Sequence, residues 1–369
     1  KNDDKIKMKT FRNIVKTYPL EILSNNTVDK DVQSILLPLN LMQYIMFCPK
    51  YRIRDNLIIP NSLSTNFVSI IAILVIILLS IFSVYMSVLE NGLYSSYMYV
   101  IVLYKTAFYC FGFVMNFMIG IIQTNNNIEL VLTYQNVHRF LNDKNSKKHF
   151  IIWNWIIMFV VFVFLIVFTY CYKYMNAPFY TVYFFYFLVV FDFNTIYSMR
   201  VIKILENKVV QWCSQEIEFT HDEHHSKKMF QAYADILRCY GIHKYCFQQF
   251  VSTLMLMSKV VRWLESMNVG SLILFSWSIK NLMWQTMLIR QCEKFYIAVE
   301  KAQDTCALIL KFHSSDYQKK LYKNVLRLHR ASFSKIRVCG LFYVDAALQI
   351  TLMILISNYT VVLLQFAIL

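Results

Sequence analysis

The chain has 369 residues, 57% hydrophobic and 17% aromatic, with only 16% charged and a formal net charge of +15. A soluble domain carries roughly a quarter charged residues, whereas this chain has charge-free runs at 65–88, 150–172 and 346–369, each as long as the about 20 apolar residues that cross a hydrocarbon core. That pattern argues against a soluble domain. The basic excess lies between the apolar runs, where anionic membrane lipids account for it and no nucleic-acid partner is needed.

Residues 1–63 read as a cytosolic N-terminal segment. Its polar, basic beginning, with no early apolar run, is unlike a signal peptide. Within it, Val32–Phe47 is apolar but short and carries Pro38. It reads equally well as an interfacial helix or as a buried helix of a cytosolic layer.

Membrane spans are then predicted at 64–88, 99–122, 149–172, 176–199, about 268–290 and 340–367. Charge placement asks for one more. Segment 1–63 holds ten Lys and Arg, 123–148 four, 200–245 seven and 290–337 eleven, while 89–98 holds none. Basic loops stay on the cytosolic side, so a further crossing is predicted at about 244–264, short and flanked by Lys259 and Arg262. The expected fold is an all-α polytopic membrane protein of seven transmembrane helices, with a cytosolic N-terminus and an extracellular C-terminus. Residues 64–369 form the membrane domain. Its segments 200–245 and 290–337 show apolar residues at three- and four-residue steps, such as Val299, Ala302, Cys306 and Ile309, and are predicted to form a cytosolic helical layer.

Chemistry-bearing motifs are sparse. Nine cysteines are scattered without paired spacing and read as small apolar fillers. His221 and His225 in His221-Asp-Glu-His-His225 are spaced to share a helix face with zinc, but a solvated polar loop explains them as well. No catalytic, metal or cofactor site is expected. A transporter usually has Gly- or Pro-interrupted helices at the midplane, and all five prolines here lie outside span interiors. A G-protein-coupled type of chemoreceptor would place the N-terminus outside and needs an Asp-Arg-Tyr motif and an Asn-Pro-x-x-Tyr motif that this chain lacks.

The last predicted span is the most informative. Thr351, Asn358 and Gln365 recur every seven residues in an otherwise apolar run, so they line one stripe. Ile354, Leu355, Val361 and Val362 lie between them on that face. Alternating polar and apolar rungs suit a pore helix; interhelical hydrogen bonding within a bundle explains the same periodicity. Charges inside spans call for partners. Asp192 and Lys280 sit at similar depths on their helices and are predicted to pair.

The segment Asn358-Tyr359-Thr-Val-Val-Leu-Leu-Gln365-Phe366 resembles the C-terminal signature of insect gustatory receptors: Thr-Tyr, five mostly hydrophobic residues, then Gln-Phe, with Asn358 here in the place of Thr. Arg330-Ala-Ser-Phe-Ser and Val338-Cys-Gly-Leu-Phe-Tyr-Val-Asp345 are similar to the lead-in to that helix in the expanded bitter group of moths and butterflies. The resemblance covers about forty C-terminal residues. It implies a ligand-gated cation channel in the plasma membrane of chemosensory neurons. It also implies a homo-tetramer, or a hetero-tetramer with related receptors, around one pore lined by the last helix. Gln365 and Phe366 would form the outer constriction, with Thr351, Asn358, Val361 and Val362 below, and Tyr359 would pack the helix against its neighbours. The ligand, a small-molecule tastant such as a bitter plant metabolite, would sit among outer-half residues, for which Tyr97, Tyr104, Lys105, Phe108, Phe168, Tyr180, Tyr183 and Phe184 are the candidates. Aromatic belts at membrane interfaces explain the same rings.

Overall fold

A computed structural model of the protein describes residues 26–90, 96–141, 144–174, 179–218, 223–263, 271–311, 316–338 and 342–351, with positions 354, 357, 358, 361 and 365 beyond them. The chain is overwhelmingly α-helical. The helices are α1 (Lys30–Ile45), α2 (Leu63–Glu90), α3 (Ser96–Ile122), α4 (Thr124–Phe140), α5 (Lys144–Tyr174), α6 (Phe179–Glu218), α7 (Glu223–Trp263), α8 (Ser271–Ile309) and α9 (Asp316–Ser332). Among the described residues, strands are confined to two hairpins, β1 (Arg52–Arg54) with β2 (Leu57–Ile59), and β3 (Arg337–Val338) with β4 (Phe342–Tyr343). The first hairpin closes through Asp55 and Asn56, both at positive φ, the backbone that a two-residue turn matched to strand twist demands and that Asp and Asn tolerate.

Each predicted span is helical wherever it is described except the last, 340–367, where Phe342 and Tyr343 form β4 and the helix starts only at 346, after Asp345. The region expected to hold a short, irregular fifth crossing is part of α7, which runs unbroken for 41 residues. Helix α6 has 40 residues and α8 has 39, so each spans roughly 60 Å at 1.5 Å per residue, twice the thickness of a hydrocarbon core. Their distal halves form a helical layer with α4 and α9.

That layer is held by helix-period stripes. Helix α8 buries Cys292, Phe295, Val299, Ala302 and Cys306, at steps of three and four, with small residues that allow close approach to α6, its most extensive neighbour. Helix α6 answers with Val201, Leu205, Val209 and Trp212, all buried. The Trp212 indole N–H donates to the Met229 carbonyl at 2.8 Å and its ring lies 5.0 Å from Tyr233 on α7, so a large apolar surface is buried with its one donor satisfied. Helix α9 presents Leu321, Tyr322, Val325 and His329 to this core, and its ends suit its dipole, with Asp316 in the first turn and Arg330 in the last.

Helix α1 is a packed helix. Val32, Ile35, Leu36, Leu39 and Met42 are buried against α5 and α6. The Arg139 guanidinium of α4 clasps Asp29 just before it through two bonds, 2.7 and 2.8 Å, holding that carboxyl below its usual range. On the far side, Asn154 Nδ2 of α5 donates to the Ile35 carbonyl at 3.1 Å, while Asn154 Oδ1 accepts from Arg200 Nε of α6 at 2.5 Å.

Two described segments are long and apolar enough to cross a membrane: Leu63–Met86 in α2 and Lys148–Cys171 in α5, each of 24 residues. Only 28% and 22% of these windows are buried within the protein. Apolar side chains such as Leu78, Phe159 and Ile166 face outward, more than half exposed. A helix that is apolar on all sides belongs in a large core or in lipid.

One buried carboxylate in the helical layer yields a stability test. Asp235 on α7 is buried, and burial pushes its carboxyl up to about 6 against the bond it accepts from Gln231 Nε2 at 2.9 Å. The folded state therefore holds its proton at pH values where the unfolded chain has lost it, and stability falls as pH rises from about 4 to about 6. Asp235→Asn keeps the Gln231 bond. It is expected to flatten that pH dependence and to stabilise the protein at pH 7 by up to about 3 kcal/mol, read as melting temperature against pH.

Candidate functional site

The C-terminal helix begins at 346 and is helical at every described position to 365. Its start is fixed by an N-cap: Asp345 Oδ1 accepts from the Leu348 amide at 3.3 Å, the role for which Asp is favoured. The Asp345 carboxylate also lies 3.7 Å from Lys335 Nζ, and Glu293 Oε2 of α8 accepts from the Ala346 amide at 3.4 Å.

The strand segment before the helix is anchored to the helical layer. Lys244 Nζ donates to the Ser334 hydroxyl at 2.6 Å and to its carbonyl at 3.1 Å. Tyr240 donates to the same carbonyl at 3.1 Å, and the Tyr296 hydroxyl accepts from the Ile336 amide at 3.1 Å. Beneath them Tyr240, Phe295 and Phe333 stack, with ring centroids 4.7–6.4 Å apart, and the His329 ring lies 4.8 Å from Phe333. Burial raises the tyrosine hydroxyls of Tyr240 and Tyr296 well above their usual range, so they stay neutral hydrogen-bonding groups. These contacts join α7, α8 and α9 to the foot of the C-terminal helix.

The two faces of that helix differ. On one, Leu348 is buried and Gln349 Nε2 reaches Thr286 of α8 at 3.5 Å. On the other, Thr351, Ile354, Asn358, Val361 and Gln365 are all exposed, with Ile354 at 56% and Val361 at 53%. The described positions of the seven-residue stripe are therefore all uncovered, with polar rungs at 351, 358 and 365 and apolar rungs at 354 and 361. The Thr351 hydroxyl is satisfied within its own helix, donating to the Ala347 carbonyl at 2.9 Å. Tyr359, Val362 and Phe366 lie outside the described residues.

Asp192 of α6 and Lys280 of α8 are brought together, Nζ to Oδ2 at 2.5 Å, with side chains 10% and 7% exposed. Among the expected ligand residues, Phe168 is buried and stacks on Phe164 one turn earlier on α5, centroids 5.7 Å apart. Tyr97, Tyr104, Lys105 and Phe108 lie on α3, and Tyr180, Tyr183 and Phe184 on α6; their side chains lie outside the described residues. His221 does too, and among the described residues no group of three His, Cys, Asp or Glu could hold a metal.

Sequence reasoning did not reach the Asp345, Glu293 and Lys335 contacts around the foot of the helix. The signal available was an Asp immediately before an apolar run, a helix-start pattern. No protein-family model matches the chain, and no curated protein matches it.

Proposed function

We propose that this protein is a gustatory receptor of the insect type, working as a ligand-gated, non-selective cation channel opened by a small tastant such as a bitter plant metabolite. The observation that carries the reading is the exposed stripe of the C-terminal helix. A face that repeats polar and apolar rungs, on a helix whose first turn reaches α8 through Gln349, needs a surrounding that is partly water. Four copies with this face turned inward would line one pore. The outward-facing apolar surfaces of α2 and α5 support a membrane setting; the seven crossings, cytosolic N-terminus and extracellular C-terminus of this reading rest on the placement of Lys and Arg.

The mechanism follows from how the helix is held. Thr351, Asn358 and Gln365 carry hydroxyl and amide dipoles that replace part of an ion's hydration. The apolar rungs at 354 and 361 close by dewetting when narrow. Neutral rungs set no fixed charge, so discrimination among cations is weak. A tastant that binds the open arrangement more tightly shifts the equilibrium by that difference in affinity. The contacts of Lys244, Tyr240 and Tyr296 keep the foot of the helix on the cytosolic layer, so motion is confined to the outer part of the stripe. Anionic inner-leaflet lipids and the other subunits are the expected partners, and no cofactor is required.

The test is whole-cell current in oocytes expressing the chain, challenged with plant alkaloids, glycosides and sugars. Evoked cation current is expected, with relative permeabilities altered in Gln365→Ala. Strong surface expression without current to any compound would contradict the reading.

A further inference from the structure

Where α3, α6 and α7 meet below the end of α1 there is a polar cavity of about 40 Å³, room for a few waters or for the oxygens of a small anion. Lys50 enters it from the loop after α1, its ammonium 3.6 Å from the centroid of the Tyr197 ring. No carboxylate lines the cavity, and no ion pair to Lys50 occurs among the described residues.

The other walls are rich in amides. Asn194 Nδ2 of α6 donates to Asn116 Oδ1 of α3 at 3.1 Å, which leaves the Asn116 nitrogen free of that bond. The amide nitrogens of Gln43 and Asn116 are both shielded from solvent without a partner in full hydrogen-bond geometry, that of Asn116 facing the Cys48 thiol, and Gln43 as a whole is 2% exposed. His243 of α7 is occupied with the Ser198 hydroxyl at 2.8 Å. A lone shielded amide is costly, and a half-buried cation facing a cavity without a carboxylate lacks the partner that would offset its desolvation.

Occupants can be ranked on this chemistry. Waters would satisfy the amides and leave the ammonium uncompensated. A metal cation would be repelled by Lys50. A neutral polyol would offer hydroxyls and no charge. Only an anion answers both the ammonium and the two donors, and one with several oxygens answers them together. Burial, which pushes the Lys50 ammonium down to about 8, agrees with a cation lacking its partner.

We propose that this cavity binds a small oxyanion of the phosphate type, with Lys50 as its charge partner and Gln43 and Asn116 as donors. The site is separate from the C-terminal stripe and does not depend on the channel reading. Its ligand is a free phosphate or the phosphate headgroup of an anionic lipid. By joining α1, α3 and the Lys50 loop, a bound anion ties the packed N-terminal helix to the bundle.

The experiment is thermal unfolding of the purified full-length chain in phosphate-free maltoside micelles. One arm titrates inorganic phosphate against chloride at matched ionic strength. The other adds phosphatidic acid against phosphatidylcholine. The wild type is expected to gain at least about 2 °C in one arm, phosphate identifying a free oxyanion and phosphatidic acid alone a headgroup. Lys50→Met is expected to need at least about tenfold more ligand. Gln43→Leu keeps the charge and the shape, weakens binding by a smaller factor, and carries the test if Lys50→Met does not fold. No gain in either arm, or both variants responding as the wild type does, would overturn the site and leave a water-filled cavity.

Discussion

Lys280→Met alone is expected to cost about 3–5 kcal/mol of stability, and the double replacement Asp192→Leu with Lys280→Met far less. The Lys280 ammonium lies 2.5 Å from the Asp192 carboxylate, and both side chains are almost wholly enclosed, between the two helices that pack most extensively in the molecule. Phe164 of α5 adds a ring 5.8 Å from the ammonium. Removing one member leaves the other charge without its partner in a setting that solvates it poorly, whereas removing both leaves an apolar contact of similar volume. Asp192→Asn should be milder than Lys280→Met, because the amide still offers an oxygen to the ammonium. The measurement is a double-mutant cycle by thermal unfolding in detergent. Single variants no less stable than the double would show that the pair does not hold α6 to α8.

That pair was legible in the sequence for a physical reason. A charge within an apolar run is expensive enough that a partner is required, and Asp192 and Lys280 stand at similar depths on their helices. The helices in 64–88 and 149–172 were legible from apolar lengths with few or no charges and those of the helical layer from three- and four-residue steps, whereas α4 lies in 123–148, which read only as a basic segment. The stripe at 351, 358 and 365 was legible because a seven-residue repeat keeps its side on a helix, although periodicity could not say whether that side was covered; in the protein it is exposed.

Other features were hidden by residues with two ordinary explanations. Lys50 stands in Lys50-Tyr-Arg-Ile-Arg, which reads as a basic flank on the cytosolic side, so nothing marked it as the cation of a polar cavity. Glu293 is a carboxylate in the strongly basic 290–337 segment, where nothing in the sequence singles it out, yet it meets the backbone of Ala346, 53 residues away. The N-terminal segment left two readings open for Val32–Phe47, and its packing on α5 and α6 depends on the long-range bonds of Asn154 and Arg139. The aromatic set at the outer ends could not be divided into belt and pocket, since rings serve both, and the one whose side chain is described, Phe168, packs on Phe164 within its own helix.

The second large effect concerns the uncovered face itself. If the stripe lines a water-filled pore, single cysteines at 351, 358 and 365 should react with a small charged thiol reagent and lose most of the ligand-evoked current. Cysteines at Leu348, which is buried, and at Gln349, which reaches Thr286 of α8, should be spared. Cys171, the one exposed thiol among the described cysteines, is replaced by Ser in the background so that any loss belongs to the introduced group.

The most direct measurement is therefore evoked current before and after reagent in Thr351→Cys, Asn358→Cys, Gln365→Cys and Leu348→Cys. Near-complete loss is expected in the first three and little change in the last. Equal protection at all four positions would place the ion path away from the C-terminal helix and contradict the account.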